Sequence, residues 1–516
     1  MADGAVLATE VYLPAGEGPF PVLVGRGVRL GGQMDGAHWY LDRGYAAVSQ
    51  DLVPEGEELV AGAHGARAKL ARDVASDTTI LLDWVAEQAW CNGKVAIFGY
   101  SAGGMATLPV LESHPTNLTA AVTHITATDF TAVYRMRGGV MVSRNRVFDP
   151  EEAWEPGDPP SANRVRLTPL TTNDQVGIFK TDFSGWFDIF LQGAIDDWVA
   201  WRESGRATLI IGGGTHGALP RPSLRPPDYA DSDIFWPDAP AFDLIKGEID
   251  EASIDSVLYY FLMGDFTDPA APGNEWRVTR AWPLPHQDKN YFLTVNDGLS
   301  LEGPASSAEI SYDYDPLHPN ARADIEWRSL VADGPVDQRT MRDRSDVVYF
   351  TSDPLDEPLE ITGRIWANLF LSTDVPDTTF LVKFLDIYPD GYEAMIAHGI
   401  LMARYRNGFD HPSPVEADQA CEYRIDLWST AIVLGRNHRL GIYITNSEYG
   451  RFQVHPNCWE PISSYAEART AHNRIHISPE HPSHIVLPVV GPGASKTYDP
   501  AEHRLCRKAK DYRDKR

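Results

Sequence analysis

The sequence has few cysteines and contains no long hydrophobic run. Its 516 residues include four cysteines without a CxxC spacing, Cys91, Cys421, Cys458 and Cys506. This pattern predicts reduced thiols and argues against a disulfide framework or a zinc site. No stretch of about 18 apolar residues is present to span a membrane, and the opening MADGAVLATEVYLP has no basic region followed by an apolar one. We therefore expect a cytoplasmic protein with no metal and no membrane partner.

Basic side chains are also scarce, since 45 Lys and Arg face 72 Asp and Glu and the formal net charge is −27. Such a charge repels phosphate backbones, so we expect no nucleic-acid partner. Hydrophobic residues at 43% and charged residues at 23% are typical of a soluble globular protein. The length predicts two or three domains. We expect a small-molecule substrate, and the sequence leaves a homo-oligomer open.

The first part of the chain alternates apolar strand-like runs with amphipathic helix-like runs. The predicted strands are residues 20–26, 45–51, 94–100 and 118–126, and residues 73–90 place apolar side chains on one helical face. The alternation resumes with a strand at 176–183, a helix at 189–202 and a strand at 207–214; a further helix is predicted at 249–264. Continuous apolar strands between such helices predict an α/β fold with a parallel sheet covered on both faces.

Two other segments have a different texture. Residues 129–173 are polar and rich in Arg and Pro, as in DPEEAWEPGDPPSANR, which indicates an insertion over the sheet. After about residue 272, strand follows strand with turn residues between, and this pattern predicts an all-β domain of the sandwich or jelly-roll type. We therefore predict a catalytic domain over 1–128 and 174–272, an inserted cap over 129–173 and a C-terminal domain over 273–516.

The stretch KVAIFGYSAGGMATL, residues 94–108, contains a candidate nucleophile, Ser101. It fits G-x-S-x-G between a predicted strand and a predicted helix, which is the context that this motif requires. A sharp turn there needs small neighbours, and Gly99, Ala102, Gly103 and Gly104 are small. The alternative interpretation is a purely structural turn.

A serine hydroxyl near pH 7 needs a base to take its proton and a carboxylate to orient that base. In a doubly wound hydrolase these partners follow the serine in the order acid, then histidine, on loops beyond later strands. His216 lies in the glycine-rich stretch GGGTHG after residues 207–211, and the stretch TDFSGWFDIF offers two acids, Asp182 and Asp188. These residues alone leave the choice of acid open.

Several stretches resemble the CocE/NonD hydrolases, the cocaine-esterase-like family related to X-Pro dipeptidyl peptidases. The matching stretches are LLDWVAEQAWCNGKVAIFGYSAGG, SGWFDIF, GGGTHG, EWRVTRAWPLP and DVVYFTSDPLDEPLEITG, with HPSHIVLPVV near the end. The resemblance implies a doubly wound α/β-hydrolase domain, an inserted cap and a C-terminal jelly roll. It implies a triad of Ser101, Asp188 and His216, with Asp188 preferred to Asp182 because the family acid follows a Gly-Trp pair. Residues beside these motifs, Tyr100, Trp186 and Phe187, are predicted to line the substrate pocket.

The predicted oxyanion hole departs from the family pattern. The backbone N–H of Ala102 is one expected donor. The family usually has a tyrosine after its first core strand, but GRGVRLGGQ places Arg29 there. Arg29 either donates to the oxyanion, binds a substrate carboxylate or points to solvent while a backbone N–H completes the hole.

The leading hypothesis is a serine hydrolase that cleaves an ester or amide acyl bond through an acyl-enzyme, with esters favoured. The alternatives are an aminopeptidase or acylase, an acyl transferase on the same triad, and a non-catalytic ligand-binding protein. No cofactor is expected, because the last glycine of GRGVRLG comes one residue too late for a dinucleotide motif. The late histidines in HNRIHISPEHPSH lack a ligand spacing and are expected to be structural.

Overall fold

The computed structural model describes residues 1, 4, 6–27, 40–52, 64–112, 115–129, 136–142, 179–202, 206–216, 239–250, 255–268, 270–321, 334–459 and 465–499. Within them the α-helices are α1 (His64–Ala86), α2 (Ala102–Glu112), α3 (Leu191–Trp201) and α4 (Ala239–Lys246). Arg29 and most of the predicted cap lie outside the described residues. No helix of the described chain is both long enough and apolar enough to cross a bilayer.

The strands fall into two large sheets and one hairpin. In chain order they are β1 (Thr9–Tyr12), β2 (Phe20–Gly27), β3 (Ala46–Asp51), β4 (Cys91–Tyr100), β5 (Ala120–His124), β6 (Met136–Arg137), β7 (Val140–Met141), β8 (Phe179–Phe187), β9 (Ala207–Thr215), β10 (Val257–Leu262), β11 (Glu275–Thr279), β12 (Gln287–Leu293), β13 (Gly298–Ser300), β14 (Ala308–Tyr314), β15 (Val348–Ser352), β16 (Leu359–Thr373), β17 (Thr379–Ile387), β18 (Glu393–Met402), β19 (Cys421–Leu434), β20 (Arg439–Thr445), β21 (Ala471–Ile477), β22 (His484–Val489) and β23 (Lys496–Thr497).

The first sheet has the order β1-β3-β2-β4-β5-β8-β9-β10-β11-β23 among the described residues. Its strands run parallel from β3 to β10, and β1 and β11 pair antiparallel to their neighbours. Side chains of one strand alternate between two cores. Val22 and Val24 belong to a core with α1, α2 and α3, whereas Leu23 packs with Phe242 of α4. Burial on both faces explains the continuous apolar runs that predicted these strands.

The second sheet, formed by the C-terminal part of the chain, has the order β14-β21-β16-β22-β12-β13-β15-β20-β17-β18, with β19 paired to β16. β17 and β18 are buried along their whole length. The two sheets share one large apolar core, and the link is direct, since Met263 after β10 donates its N–H to the Ala431 carbonyl of β19 at 3.0 Å. The C-terminal sheet therefore packs against the part of the molecule that carries Ser101.

The predicted helix over residues 249–264 is wrong. The segment contains β10, which pairs with β9 and β11 and whose VLYYFL residues are all buried. A strand covered on both faces has no polar alternation, so a continuous apolar run does not distinguish it from a buried helix. Its aromatic residues are of the type that favours strands.

The described part of the predicted cap is a hairpin of β6 and β7 that docks on the C-terminal sheet. Met402 donates its N–H to the Gly138 carbonyl at 2.8 Å, and Gln453 donates to the Met141 carbonyl at 2.8 Å. Gly138 has a φ of 57° and approaches the sheet so closely that an added Cβ would lie 1.7 Å from the carbonyl oxygen of Ile400. Only glycine fits at this turn.

Candidate active site

Ser101 lies at a tight turn between β4 and α2. Its φ is 49°, in the left-handed region that non-glycine residues rarely adopt. A Cβ on Gly99 would lie 2.4 Å from the Gly103 carbonyl oxygen, and one on Gly104 would lie 2.7 Å from Thr126. The small residues of the motif are thus required by the turn. Ser101 donates its own N–H to the His124 carbonyl of β5 at 3.0 Å, which anchors the strained residue on the sheet.

The three predicted residues each directly follow a parallel strand. Ser101 follows β4, Asp188 follows β8 and His216 follows β9. The carboxyl ends of parallel strands meet at one edge of a sheet, where ligands of such folds bind. The ends of β8 and β9 pack closely together. A Cβ on Gly185 of β8 would lie 2.4 Å from the carbonyl oxygen of Gly214 in β9.

These side chains form one line of hydrogen bonds. Ser101 Oγ lies 2.9 Å from His216 Nε2, and His216 Nδ1 lies 2.9 Å from Asp188 Oδ2. Asp188 is 3% exposed, and its second oxygen, Oδ1, accepts the N–H of Phe190 at 2.6 Å. With Nδ1 donating to Asp188, Nε2 is left to accept the serine proton. The arrangement can turn a hydroxyl into a nucleophile.

The surroundings leave the reactive end open and seal the acid. Asp188 has no exposed side-chain surface, whereas 15% of the His216 side chain is exposed and Ser101 is half-buried. The Phe190 ring packs 5.5 Å from the His216 ring, centre to centre, and the Tyr100 ring lies at 6.5 Å. Burial, together with the charge of Asp188, raises the pKa of the Tyr100 phenol. Tyr100 therefore stays neutral near pH 7 at the mouth of the site.

The other predicted site residues have diverse positions. Trp186 is 4% exposed and donates Nε1–H to the Phe261 carbonyl at 2.6 Å; Phe187 is 7% exposed. Ala102 begins α2, so its N–H belongs to the free donors of a helix N-terminus. Asp182 lies inside β8, paired with Leu209 of β9, six residues before the acid that bonds the histidine.

Phe190 is a site residue that the sequence reasoning missed. Its N–H and ring contact Asp188 and His216 respectively. Its position two residues after a candidate acid was the only available signal. Among the described residues, no group of three or more His, Cys, Asp or Glu is placed to hold a metal ion.

Comparison with known proteins shows similarity along nearly the whole chain. Residues 3–167 match the family model of X-Pro dipeptidyl-peptidase (S15 family), and residues 256–486 match that of the X-Pro dipeptidyl-peptidase C-terminal non-catalytic domain. The cocaine esterase of Rhodococcus sp. (strain MB1 Bresler) is 28% identical over 575 aligned residues, which cover 95% of this chain and 97% of that protein.

Solved structures share the fold. An α-amino acid ester hydrolase superposes with a TM-score of 0.78 at 20% identity, covering 95% of both chains. A CocE/NonD family hydrolase from Staphylococcus aureus gives a TM-score of 0.68 at 15% identity, covering 95% of this chain and 92% of the other. The fold is thus that of a catalytic S15 domain followed by an all-β C-terminal domain.

Proposed function

We propose that this chain, a serine hydrolase of the CocE/NonD family acting on ester bonds, cleaves a small-molecule ester through an acyl-enzyme on Ser101. The observation that carries this proposal is the unbroken line from Ser101 Oγ through His216 to Asp188, with both contacts at 2.9 Å. The strained φ of 49° at Ser101 supports it, because such strain is retained at functional sites.

The reaction follows from this geometry. His216 Nε2 takes the hydroxyl proton of Ser101 as the serine oxygen attacks the ester carbonyl. Asp188 holds the imidazole in the required tautomer and stabilises the imidazolium that forms. The tetrahedral intermediate then collapses, and His216 gives the proton to the departing alcohol. Water, activated by the same histidine, attacks the acyl-enzyme, which releases the acid and restores Ser101.

The negative oxygen of the intermediate needs hydrogen-bond donors. We propose the N–H of Ala102 as one donor, because it follows the nucleophile at the start of α2. Arg29 is the proposed side chain for the second donor. The exposed Tyr100 beside His216 is a proposed wall of the entrance.

The finer architecture is part of the proposal. We assign a doubly wound α/β-hydrolase domain to 1–128 and 174–272, a cap to 129–173 and a jelly roll to 273–516. The parallel strands from β3 to β10 and the packing of α1 and α4 against opposite cores support the first assignment. The eleven-stranded C-terminal sheet of the described chain supports the last.

A fluorophosphonate probe tests the nucleophile, with the adduct located by peptide mass spectrometry. We expect labelling of Ser101 in the wild type and none in Ser101→Ala. His216→Ala should lose ester turnover by about 10⁴-fold or more, because it removes the base. Ser306→Ala, at an exposed serine of the C-terminal region, is the matched control and should react normally. Normal turnover in a folded Ser101→Ala protein would refute the mechanism.

A further inference from the structure

A small cavity is lined in part by Asp188, the proposed acid of the triad. Its volume is about 30 Å³, and its wall includes Asp188 of the catalytic region, Arg137 of the β6–β7 hairpin, and His398, Trp428 and Arg451 of the C-terminal region. Three parts of the chain therefore meet there. The volume has room for about two water-sized atoms, which is also the number of oxygens in a carboxylate. Asp188 lines this space and also accepts the Nδ1–H of His216 at 2.9 Å.

Arg137 brings a buried positive charge into this wall. It is 5% exposed; Nη1 donates to His398 Nε2 at 2.9 Å and Nη2 donates to the His398 carbonyl. Its Nε is buried and has no hydrogen-bond partner among the described residues. Within that part of the chain no carboxylate forms an ion pair with it. Burial lowers the pKa of Arg137 to about 10, so the guanidinium remains charged near pH 7.

The carboxylates near Arg137 have other partners. Asp426 accepts a hydrogen bond from Arg364 Nε at 3.1 Å, and the Lys383 ammonium lies 2.7 Å from Glu448. Asp188 is held by His216 and by the Phe190 N–H. A buried charge without an opposite charge in contact is costly to a fold. This arrangement of Arg137 is therefore typical of a cation that binds an anionic ligand.

The Trp428 ring packs against the Arg137 guanidinium, and the backbone of Trp428 is strained. The guanidinium lies 3.8 Å from the Trp428 ring centroid, and Trp428 has a φ of 70°. This left-handed conformation is an outlier for so large a side chain, and it follows a register shift opposite Ile365. The next residue, Ser429, donates its N–H and hydroxyl to Gln192 of α3 at 3.0 and 2.8 Å. The strained turn is thus tied to the catalytic region, and strain of this kind persists at ligand sites.

We propose that this cavity binds a carboxylate carried by the ester substrate, with Arg137 as the recognising cation. The proposal rests on the proposed ester hydrolysis and adds a substrate class to it. Guanidinium groups suit this task because they stay charged and present a planar set of donors to carboxylate oxygens. The free Nε, the stacked Trp428 and the space for two oxygens are three separate features of one binding site.

The test compares the hydrolysis rates of esters that differ only in charge. Hydrolysis is measured by the release of protons. The acyl-side carboxylate is carried by monoethyl succinate, monoethyl glutarate and monoethyl adipate. Each of these esters is compared with the neutral ester in which an amide replaces the carboxylate. Carboxymethyl butyrate, paired with the butyrate ester of glycolamide, places it on the alcohol side. We expect the wild type to have a higher kcat/KM for the charged member of at least one pair, and the pair that responds identifies the side.

Arg137→Gln should remove this preference, lowering kcat/KM for the charged ester by about 10-fold to 100-fold while the neutral ester changes little. Arg137→Lys should keep part of the preference. Arg474→Gln is the matched control, because Arg474 is a partly exposed arginine of β21 paired with Asp418. A wild type without any preference, or an Arg137→Gln variant that slows both esters equally, would overturn the proposal.

Binding separates this proposal from the chemistry. Calorimetric titration of Ser101→Ala with the preferred charged ester and its neutral partner measures affinity without turnover. We expect tighter binding of the charged ester, lost in Ser101→Ala/Arg137→Gln. Equal binding of both esters would end the carboxylate proposal while leaving ester hydrolysis intact. Tighter, Arg137-dependent binding in a protein that hydrolyses no ester would retain the site and reject the proposed function.

Discussion

Asp188→Asn is the substitution that tests the assignment of the acid most directly. The N–H of Phe190 points at Asp188 Oδ1 from 2.6 Å, so the new amide must place its oxygen there and its NH₂ towards His216. His216 Nδ1 must then accept, which puts the ring proton on Nε2, the atom that faces Ser101 Oγ at 2.9 Å. A protonated Nε2 cannot take the serine proton, although the shape of the site is unchanged.

The expected loss follows from this wrong tautomer. We predict that kcat for an ester falls by about 10³-fold to 10⁴-fold, which is about 4–5.5 kcal/mol in the barrier. Steady-state ester hydrolysis and the rate of fluorophosphonate labelling should fall together, and the thermal unfolding midpoint should move little because the new side chain has the same shape.

Two further variants complete the assay. Asp182→Asn should stay within about threefold of the wild type, and Asp255→Asn, at an exposed surface aspartate paired with Arg280, controls for the loss of a charge. An Asp188→Asn enzyme within tenfold of the wild type would refute the tautomer argument. A large loss in Asp182→Asn alone would transfer the role to the other acid.

The remaining predictions concern packing and pH. Gly185→Ala should cost about 1–3 kcal/mol of stability and most of the activity, because the new Cβ would lie 2.4 Å from the Gly214 carbonyl oxygen; Gly303→Ala, with nothing within 4 Å, is its control in denaturant unfolding. Burial lowers the pKa of His438, but the hydrogen bond and charge of Asp386 outweigh it and leave that pKa raised. The charged His438 therefore stabilises the fold below about pH 6.5 and this contribution is lost as pH rises through the folded pKa. Unfolding midpoints from pH 6 to 9 should fall more in the wild type than in His438→Gln, and parallel curves would contradict this.

The sequence indicated Ser101 as the candidate nucleophile because the signal of such a turn is local. Small residues around Ser101 are needed by a turn of a few residues, and the structure shows their close contacts at Gly99 and Gly104. The choice between Asp182 and Asp188 was different. Both follow the same apolar run, and only the distance across β8 and β9 tells which carboxylate reaches His216. The residues alone left that choice open, and the family resemblance favoured Asp188.

The error at β10 has a physical cause that the correct strands share. Val257–Leu262 is buried on both faces, so its sequence has neither the alternation of a surface strand nor the period of a helix. β2 and β4 also contain short continuous apolar runs, but each stands next to a recognisable helix or motif. β16 was easier to recognise as a strand, because its partly exposed residues alternate with buried ones. Neighbouring context, more than composition, decided which strands were recognised.

The pairing of Arg137 with Trp428 could not be predicted from local sequence. Arg137 bonds to His398, 261 residues further along the chain, and its place depends on a glycine turn that fits against β18. Trp428 reaches it only because the register of β16 and β19 shifts beside Ile365. A register shift of one residue reverses the side of the sheet to which a side chain points. The proposed chemistry is therefore encoded in short motifs at strand ends, whereas the proposed selectivity depends on the register of distant strands. Substitutions that alter the bulge, such as Trp428→Gly, should change the preference between charged and neutral esters before they change the rate on the neutral ester.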